Sequence, residues 1–140
     1  CIMLKNNEEH FLGGAAMCFP ASWKLSEKIM QPMSIIHKPV DEFTDNIASR
    51  VERMFCLMSS KQDLWRANWL IYSDPNLHQP RRQAELRPKN FGEEFWVRVE
   101  RQTFCKLPKT KAVIFGIHTY VVPFSKLNNI QRKSISNIIN

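Results

Sequence analysis

Residues 95–124, FWVRVERQTFCKLPKTKAVIFGIHTYVVPF, decide the fold of this chain. Apolar and polar side chains alternate along 95–104 and again along 112–122, and a period of two is typical of β-strands with one buried face. Between them Lys106–Lys111 contains a proline and supplies a turn. Pro123 closes the second strand, because proline cannot donate to a ladder. The stretch therefore predicts an antiparallel hairpin.

Upstream of this hairpin the sequence predicts one more strand and a long helix. The same alternation makes Trp65–Tyr72 a strand. Before it lies a helix that Asp41 or Thr44 can cap. Its apolar residues recur at spacings of three and four: Phe43, Ile47, Val51, Met54, Phe55 and Met58. The segment Ser73–Phe91 is long for a hairpin loop and is either a crossover or a functional flap.

The two ends of the chain give shorter elements. Ala15–Phe19 is a predicted strand that stops at Pro20, and Trp23–Met30 is a predicted short helix. A C-terminal helix is indicated by Leu127, Ile130, Ile135, Ile138 and Ile139. The prediction is an α+β fold, an antiparallel sheet with helices packed on one face, in a single domain over residues 1–140. Because the chain starts at Cys1 and the last helix has no stop signal, we expect an excerpt of a longer chain.

Charge and hydropathy restrict the function classes. The chain carries 20 basic and 13 acidic residues, a net charge of +7. The local basic groups, without interleaved aromatics, are Arg81, Arg82, Arg87 and Lys89, and Lys106, Lys109 and Lys111. They are typical of solvated loops, so we expect no nucleic-acid partner. The longest apolar runs, such as Val113–Ile117, are far shorter than the roughly 20 residues of a membrane span, so we expect no membrane insertion.

The cysteines and the known motifs offer little chemistry. Cys1, Cys18, Cys56 and Cys105 are widely spaced, with no CxxC and no Cys/His cluster of zinc-ligand spacing. We expect free buried thiols, no structural zinc and no covalently attached haem. The sequence also lacks GxSxG, HExxH and a glycine-rich phosphate loop.

Polar residues on the predicted strands have two possible explanations. They are Arg66 and Asn68, then Arg98, Glu100 and Gln102, then His118 and Tyr120. An antiparallel sheet can expose one face to water, and this alone accounts for them. Alternatively they line a polar concavity beneath the helices, where they would orient a ligand.

The four histidines differ in their surroundings. His10 and His78 lie in polar stretches and are predicted at the surface, and His118 is predicted as a cross-strand hydrogen-bond partner rather than a ligand. His37 lies in SIIHKPV, where Pro39 restricts Lys38 to an extended backbone. A neutral imidazole held there at the edge of an apolar pocket is either a structural residue or a metal or haem ligand.

Four strings of this sequence resemble the haem-dependent oxidative N-demethylase family, in the same order. They are AAMCFPASWKLSEKI, PMSIIHKPVDEF, LWRANWLIYSDPNLHQP and FWVRVERQTFCKLPKTKAVIFGIHTYVVPF. The likeness covers about Leu12–Phe124. It implies a PAS-like haem domain, the catalytic alpha subunit or its homologue, that removes a methyl group from a small secondary amine such as dimethylamine and releases formaldehyde.

The resemblance also implies roles for individual residues. A noncovalent haem b would take His37 as its axial, iron-ligating residue. Arg66 and Asn68 would act on the oxygen-binding side, and Glu100 would attract the cationic amine. The propionates of the haem would meet Arg98 or His118.

The resemblance leaves two functions open. The first is a monooxygenase-type demethylase that receives electrons from NADPH through reductase subunits with a flavin and an iron–sulfur centre, and we expect it in the cytoplasm. The second is a non-catalytic haem- or ligand-binding PAS-like module that senses or scaffolds.

Overall fold

The structure, a computed structural model, describes residues 1–38, 45–81 and 94–139. The strands in these ranges are β1 (Ile2–Lys5), β2 (His10–Gly14), β3 (Leu64–Tyr72), β4 (Trp96–Lys106) and β5 (Val113–Pro123). The helices are α1 (Leu25–Lys28), α2 (Met33–His37), α3 (Asp45–Leu57) and α4 (Asn129–Ile139), with a 3₁₀ turn at Phe124–Lys126.

The strands form one antiparallel sheet in the order β2-β1-β5-β4-β3. The predicted hairpin is β4 and β5, which pair without a break from Trp96 opposite Pro123 to Lys106 opposite Val113. Strand β3 continues the sheet on the other side of β4. The α+β class and the antiparallel PAS-like sheet are therefore confirmed.

The N-terminal prediction is wrong, because Ala15–Phe19 belongs to no strand and two unpredicted strands precede it. Strands β1 and β2 are joined by a tight turn at Asn6, whose Oδ1 accepts hydrogen bonds from the backbone N–H groups of Glu8 and Glu9. This side-chain turn is typical of asparagine. The polar and charged residues of this turn interrupt the short apolar–polar alternation of β1 and β2, so the sequence pattern does not reveal these two strands.

The two faces of the sheet carry separate apolar clusters. The front face, defined by Phe104 and Val113, contributes to a cluster of Met3, Leu12, Phe55, Met58, Phe104 and Val113. Leu25, Ile36 and Val51 of helices α1 to α3 pack against it. The back face, defined by Ile71 and Val97, meets Ile135 of α4. Helix α4 therefore covers one end of the back face, in addition to the helices on the front face that the sequence pattern predicts.

Other predictions are confirmed only in part. Helix α3 carries its apolar stripe as expected, whereas Asp41, Phe43 and Thr44 lie outside the described residues, as does most of Ser73–Phe91. The short helix is confined to Leu25–Lys28. All four cysteines are free, but Cys18 and Cys56 are exposed and Cys1 and Cys105 are half-buried, so the expected burial is wrong.

Phe55 of α3 tests how the front cluster stabilises the fold. It is 2% exposed, and its ring lies 5.7 Å from that of Phe104. We expect Phe55→Ala to lower the free energy of unfolding by about 3–5 kcal/mol, because it removes a buried ring and leaves a cavity. In urea titrations Leu57→Ala, at a residue 72% exposed, should change it by less than about 0.5 kcal/mol. Equal losses in the two variants would contradict this packing.

Candidate functional site

Two polar pairs lie side by side on the front face of β3 and β4. Arg66 is opposite Gln102 in the ladder, and Asn68 is opposite Glu100. Nε of Arg66 donates to Oε1 of Gln102 at 2.7 Å, which holds the guanidinium against β4. Because Arg66 and Asn68 are two residues apart on one strand, their Cβ atoms are separated by roughly 7 Å. The predicted common face of Arg66, Asn68, Glu100 and Gln102 is confirmed.

Exposed apolar side chains flank these pairs on the same face. On this face of β3, Leu64 precedes Arg66 and Leu70 follows Asn68, and the two leucines are 37% and 49% exposed. This part of the front face therefore combines apolar surface with a guanidinium and an amide. Such a mixture is typical of binding surfaces, where apolar area supplies affinity and a few polar groups orient the ligand.

His37 is the last residue of α2, and its ring is half-buried. Its Nδ1 lies 3.1 Å from the carbonyl oxygen of Met33. The tautomer that satisfies this carbonyl carries the proton on Nδ1 and places the lone pair on Nε2. A backbone carbonyl that accepts from one ring nitrogen orients metal-ligating histidines in the same way.

The surroundings of His37 favour the neutral imidazole. Burial lowers the pKa of His37, the Met33 carbonyl opposes this, and the positive charges of Lys28 and Arg66 lower the pKa further. Arg66 of β3 therefore acts electrostatically on the ring from the sheet side. Lys28 is held near it, because its Nζ donates to the carbonyl oxygen of Ile36 at 2.8 Å. The expected neutral imidazole at an apolar edge agrees with this arrangement, since Met33 and Ile36 pack against the front cluster. The expected extended backbone at Lys38 is wrong, because this residue keeps a helical conformation at the end of α2.

A cavity of about 310 Å³ lies on the front face next to these pairs, and Glu100 brings a carboxylate to it. Its other walls are Cys1, Ala16, Met17, Cys18, Phe19, Ala21, Trp23, Phe115, Gly116, Ile117 and Thr119. A carboxylate among aromatic side chains suits a small organic cation, which gains from both the charge and the ring faces. The volume is at the lower end of the range for ligand pockets.

Arg98, for which the resemblance implies contact with a propionate, is buried on the front face of β4, where its guanidinium contacts groups of the protein. It is 2% exposed, Nη1 donates to the carbonyl of Leu77, and Nη2 donates to that of Phe19, each at 3.0 Å. Nε lies 3.6 Å from Oε1 of Glu100. The guanidinium thus ties two loops to β4 and lies at ion-pair distance from the carboxylate that lines the cavity.

His118 and Tyr120 do not share the face of the other polar residues, so the predicted grouping is wrong for them. His118 is opposite Arg101 in the ladder, on the back face. Its ring lies 4.6 Å from that of Tyr120, and Arg101 lies over the ring of Trp65 at 5.3 Å. The sheet therefore separates His118 from His37, Arg66 and Glu100.

The residues around His37 fit a haem in their donor chemistry. A neutral, carbonyl-oriented imidazole is an axial ligand of haem iron in several protein classes. Exposed apolar side chains on β3 and the guanidinium of Arg66 supply an apolar contact surface and a positive charge. The cavity at Glu100, which His37 does not line, is suited to something smaller.

Sequence reasoning missed the cavity wall formed by Phe19, Ala21 and Trp23. The available signal was the string CFPASW at 18–23. The predicted strand stops at Pro20, so it divides this string. In the structure this segment is held over the sheet by Arg98 and by an isolated bridge between Ala21 and Gln79.

A comparison with protein families gives one match over the whole chain. The family described as haem-dependent oxidative N-demethylase, alpha subunit-like, matches residues 1–140. Separately, among the described residues the structure contains no helix long and apolar enough to cross a membrane.

Arg98 provides a test of how the cavity is built. We expect Arg98→Met to lower the free energy of unfolding by about 3–5 kcal/mol, because it removes a buried guanidinium and leaves two backbone carbonyls and the carboxylate of Glu100 without their cation. Arg53→Met, at an exposed position of α3, is the matched control and should change it by less than about 0.5 kcal/mol. Chemical denaturation measures both, and a small loss at Arg98 would contradict the clamp.

Proposed function

The chain belongs to the haem-dependent oxidative N-demethylase alpha-subunit-like family, and on that premise we propose that it binds haem b and oxidatively demethylates a small secondary amine, releasing formaldehyde. The observation that carries the proposal is one juxtaposition on the front face. A carbonyl-oriented imidazole at His37 lies within electrostatic reach of Arg66, and two ladder positions further along the strands Glu100 lines a small cavity.

His37 would hold the haem through Nε2. The hydrogen bond to Met33 fixes the ring orientation, and burial lowers the pKa of the imidazole, which favours the unprotonated form that the bond to iron requires. Arg66 and the exposed leucines of β3 would meet the macrocycle or its substituents. When bound, haem supplies the activation of dioxygen and the oxidation of the methyl group.

Arg66 would place a positive charge where negative charge develops during oxygen reduction. Its Nε is engaged by Gln102, so the guanidinium is preorganised and does not have to reorient during the reaction. Asn68, directly opposite Glu100, would accept a hydrogen bond from the ammonium group of the substrate through Oδ1.

Glu100 would bind the amine as its ammonium ion. Arg98 lies 3.6 Å from the carboxylate and restrains it, and Trp23 and Phe115 give the cavity aromatic walls. These features favour a cation with a few methyl groups over a neutral or anionic substrate. A dimethylamine-sized ion would suit a cavity of about 310 Å³.

The electrons would come from other subunits. The family description names an alpha subunit, which implies partner subunits. We propose reductase partners that pass electrons from NADPH through a flavin and an iron–sulfur centre, in the cytoplasm. A non-catalytic haem- or ligand-binding module of the same fold is the alternative that the assays below separate from this function.

The first test concerns His37. We expect His37→Gln to lose most of its haem during gel filtration, measured as the ratio of Soret to protein absorbance, because the axial ligand is gone. His78→Gln, at an exposed histidine, should retain the wild-type ratio. Far-ultraviolet circular dichroism checks that both variants are folded. Full haem retention by folded His37→Gln would exclude this residue as the ligand.

The second test concerns Glu100 and turnover. With reductase present, amine-dependent NADPH oxidation and formaldehyde release should follow the amine concentration in the wild type. We expect Glu100→Gln to raise the KM for the amine by about 10- to 100-fold, because a charge-assisted contact is lost, and to keep its haem. Glu27→Gln, on the exposed side of α1, is the control. No turnover by the wild type favours the non-catalytic module, and an unchanged KM in Glu100→Gln removes its role.

A further inference from the structure

A second group of ligand-type side chains lies where β1 and β2 meet α3. His10 of β2 and Glu52 and Cys56 of α3 bring a nitrogen, a carboxylate and a sulfur within 4.8 Å of one another. None of the front-face residues assigned to haem or amine belongs to this group.

His10 is the rigid member of the group, and its predicted surface position is wrong. The side chain is 2% exposed, and its ring packs edge-on against Phe55 at 5.1 Å. Its Nδ1 lies 2.9 Å and 2.8 Å from the two carboxylate oxygens of Glu52. The backbone N–H of His10 also donates to Oε2 of Glu52 at 3.0 Å, so strand and helix are tied at this point.

Cys56 completes the set from one turn further along α3. Residues four apart lie on the same face of a helix, which is why its thiol reaches Oε1 of Glu52 at 3.3 Å. Cys56 is exposed, so an ion can reach it from solvent. The sequence could not reveal this set, because Glu52 is 42 residues from His10 and zinc-ligand spacings are local.

The ammonium group of Lys5 already lies beside Glu52 and Cys56. Its Nζ lies 2.8 Å from Sγ of Cys56 and 3.3 Å from Oε1 of Glu52. Lys5 is opposite His10 in the ladder, and its side chain is 44% exposed, so the ammonium can swing into water. The group is therefore built to neutralise positive charge.

We propose that His10, Glu52 and Cys56 form a binding site for a divalent cation of the zinc class, with Lys5 as its internal competitor. A nitrogen, a carboxylate oxygen and a thiolate are ligands that Zn²⁺ accepts, and three protein ligands leave a fourth position to water. Metal–ligand bonds of about 2.0–2.3 Å require the Glu52 carboxylate to move a few tenths of an ångström away from Nδ1 of His10 and Sγ of Cys56. Binding displaces the ammonium of Lys5 and releases the thiol proton to solvent. Because Nδ1 of His10 can ligate only through its lone pair, the ring proton that now faces Glu52 moves to Nε2.

Titration of the chain, kept reduced, with Zn²⁺ against a chromophoric chelator tests the site. We expect one equivalent to bind, and Co²⁺ in its place to give a thiolate charge-transfer band in the ultraviolet. Cys56→Ala and Glu52→Gln should weaken binding by about 100-fold or more, since loss of even an outer partner costs 10- to 100-fold. Cys105→Ala, at a half-buried cysteine outside the group, should bind as the wild type does.

Lys5→Met is the decisive variant. Its Zn²⁺ affinity should fall if the lysine has a structural role and rise if the lysine competes with the metal. Removal of a competing charge should tighten Zn²⁺ binding by about tenfold. Lys109→Met, at an exposed lysine of the β4–β5 turn, is the control. Weaker binding in Lys5→Met, no saturable binding by the wild type, or binding that survives both Cys56→Ala and Glu52→Gln would overturn the site. Circular dichroism of each variant separates loss of a ligand from loss of the fold.

Discussion

The register of β3 against β4 is the constraint on which the site depends. Side chains alternate between faces along a strand, so a slip of one residue would carry every polar group of β3 to the back face. The observed register puts Arg66 against Gln102 and Asn68 against Glu100, all on the face that helices α1 to α3 share. The long pairing of β4 with β5 holds β4 in place on its other edge.

The buried guanidinium of Arg98 joins this sheet to the loops that complete the cavity. A charge at 2% exposure is costly unless it is paired. Here two backbone carbonyls accept hydrogen bonds from Nη1 and Nη2, and the Glu100 carboxylate lies at ion-pair distance from Nε, which makes no hydrogen bond among the described residues. The same contacts hold the segment around Phe19 over the sheet. Packing and the geometry of the candidate amine pocket therefore rest on one side chain.

Much of the fold could be predicted, because the spacing of two in strands and the spacings of three and four in helices are local features of the sequence. Trp65–Tyr72, the hairpin and α3 were found within a few residues. The first two strands could not be found this way, since each is four or five residues long and Asn6–Glu9 interrupts the pattern with charges. His118 was misplaced because a sequence shows which residues of one strand share a face, whereas the ladder decides which faces of neighbouring strands coincide.

For the site, residue types suggested the correct neighbours in Arg66, Asn68 and Glu100, whereas the burial of Arg98 and of His10 depends on contacts far along the chain.

The central claim is a neutral His37 with its proton on Nδ1 and its lone pair on Nε2. Long-range ¹H–¹⁵N NMR of the haem-free chain reads this tautomer directly through a pH titration. We expect the Nδ1–H tautomer, a pKa below the ordinary value of about 6.5, and selective paramagnetic loss of the His37 signals when ferric haem is added. An Nε2–H tautomer, or His37 signals that persist with haem bound, would contradict the account.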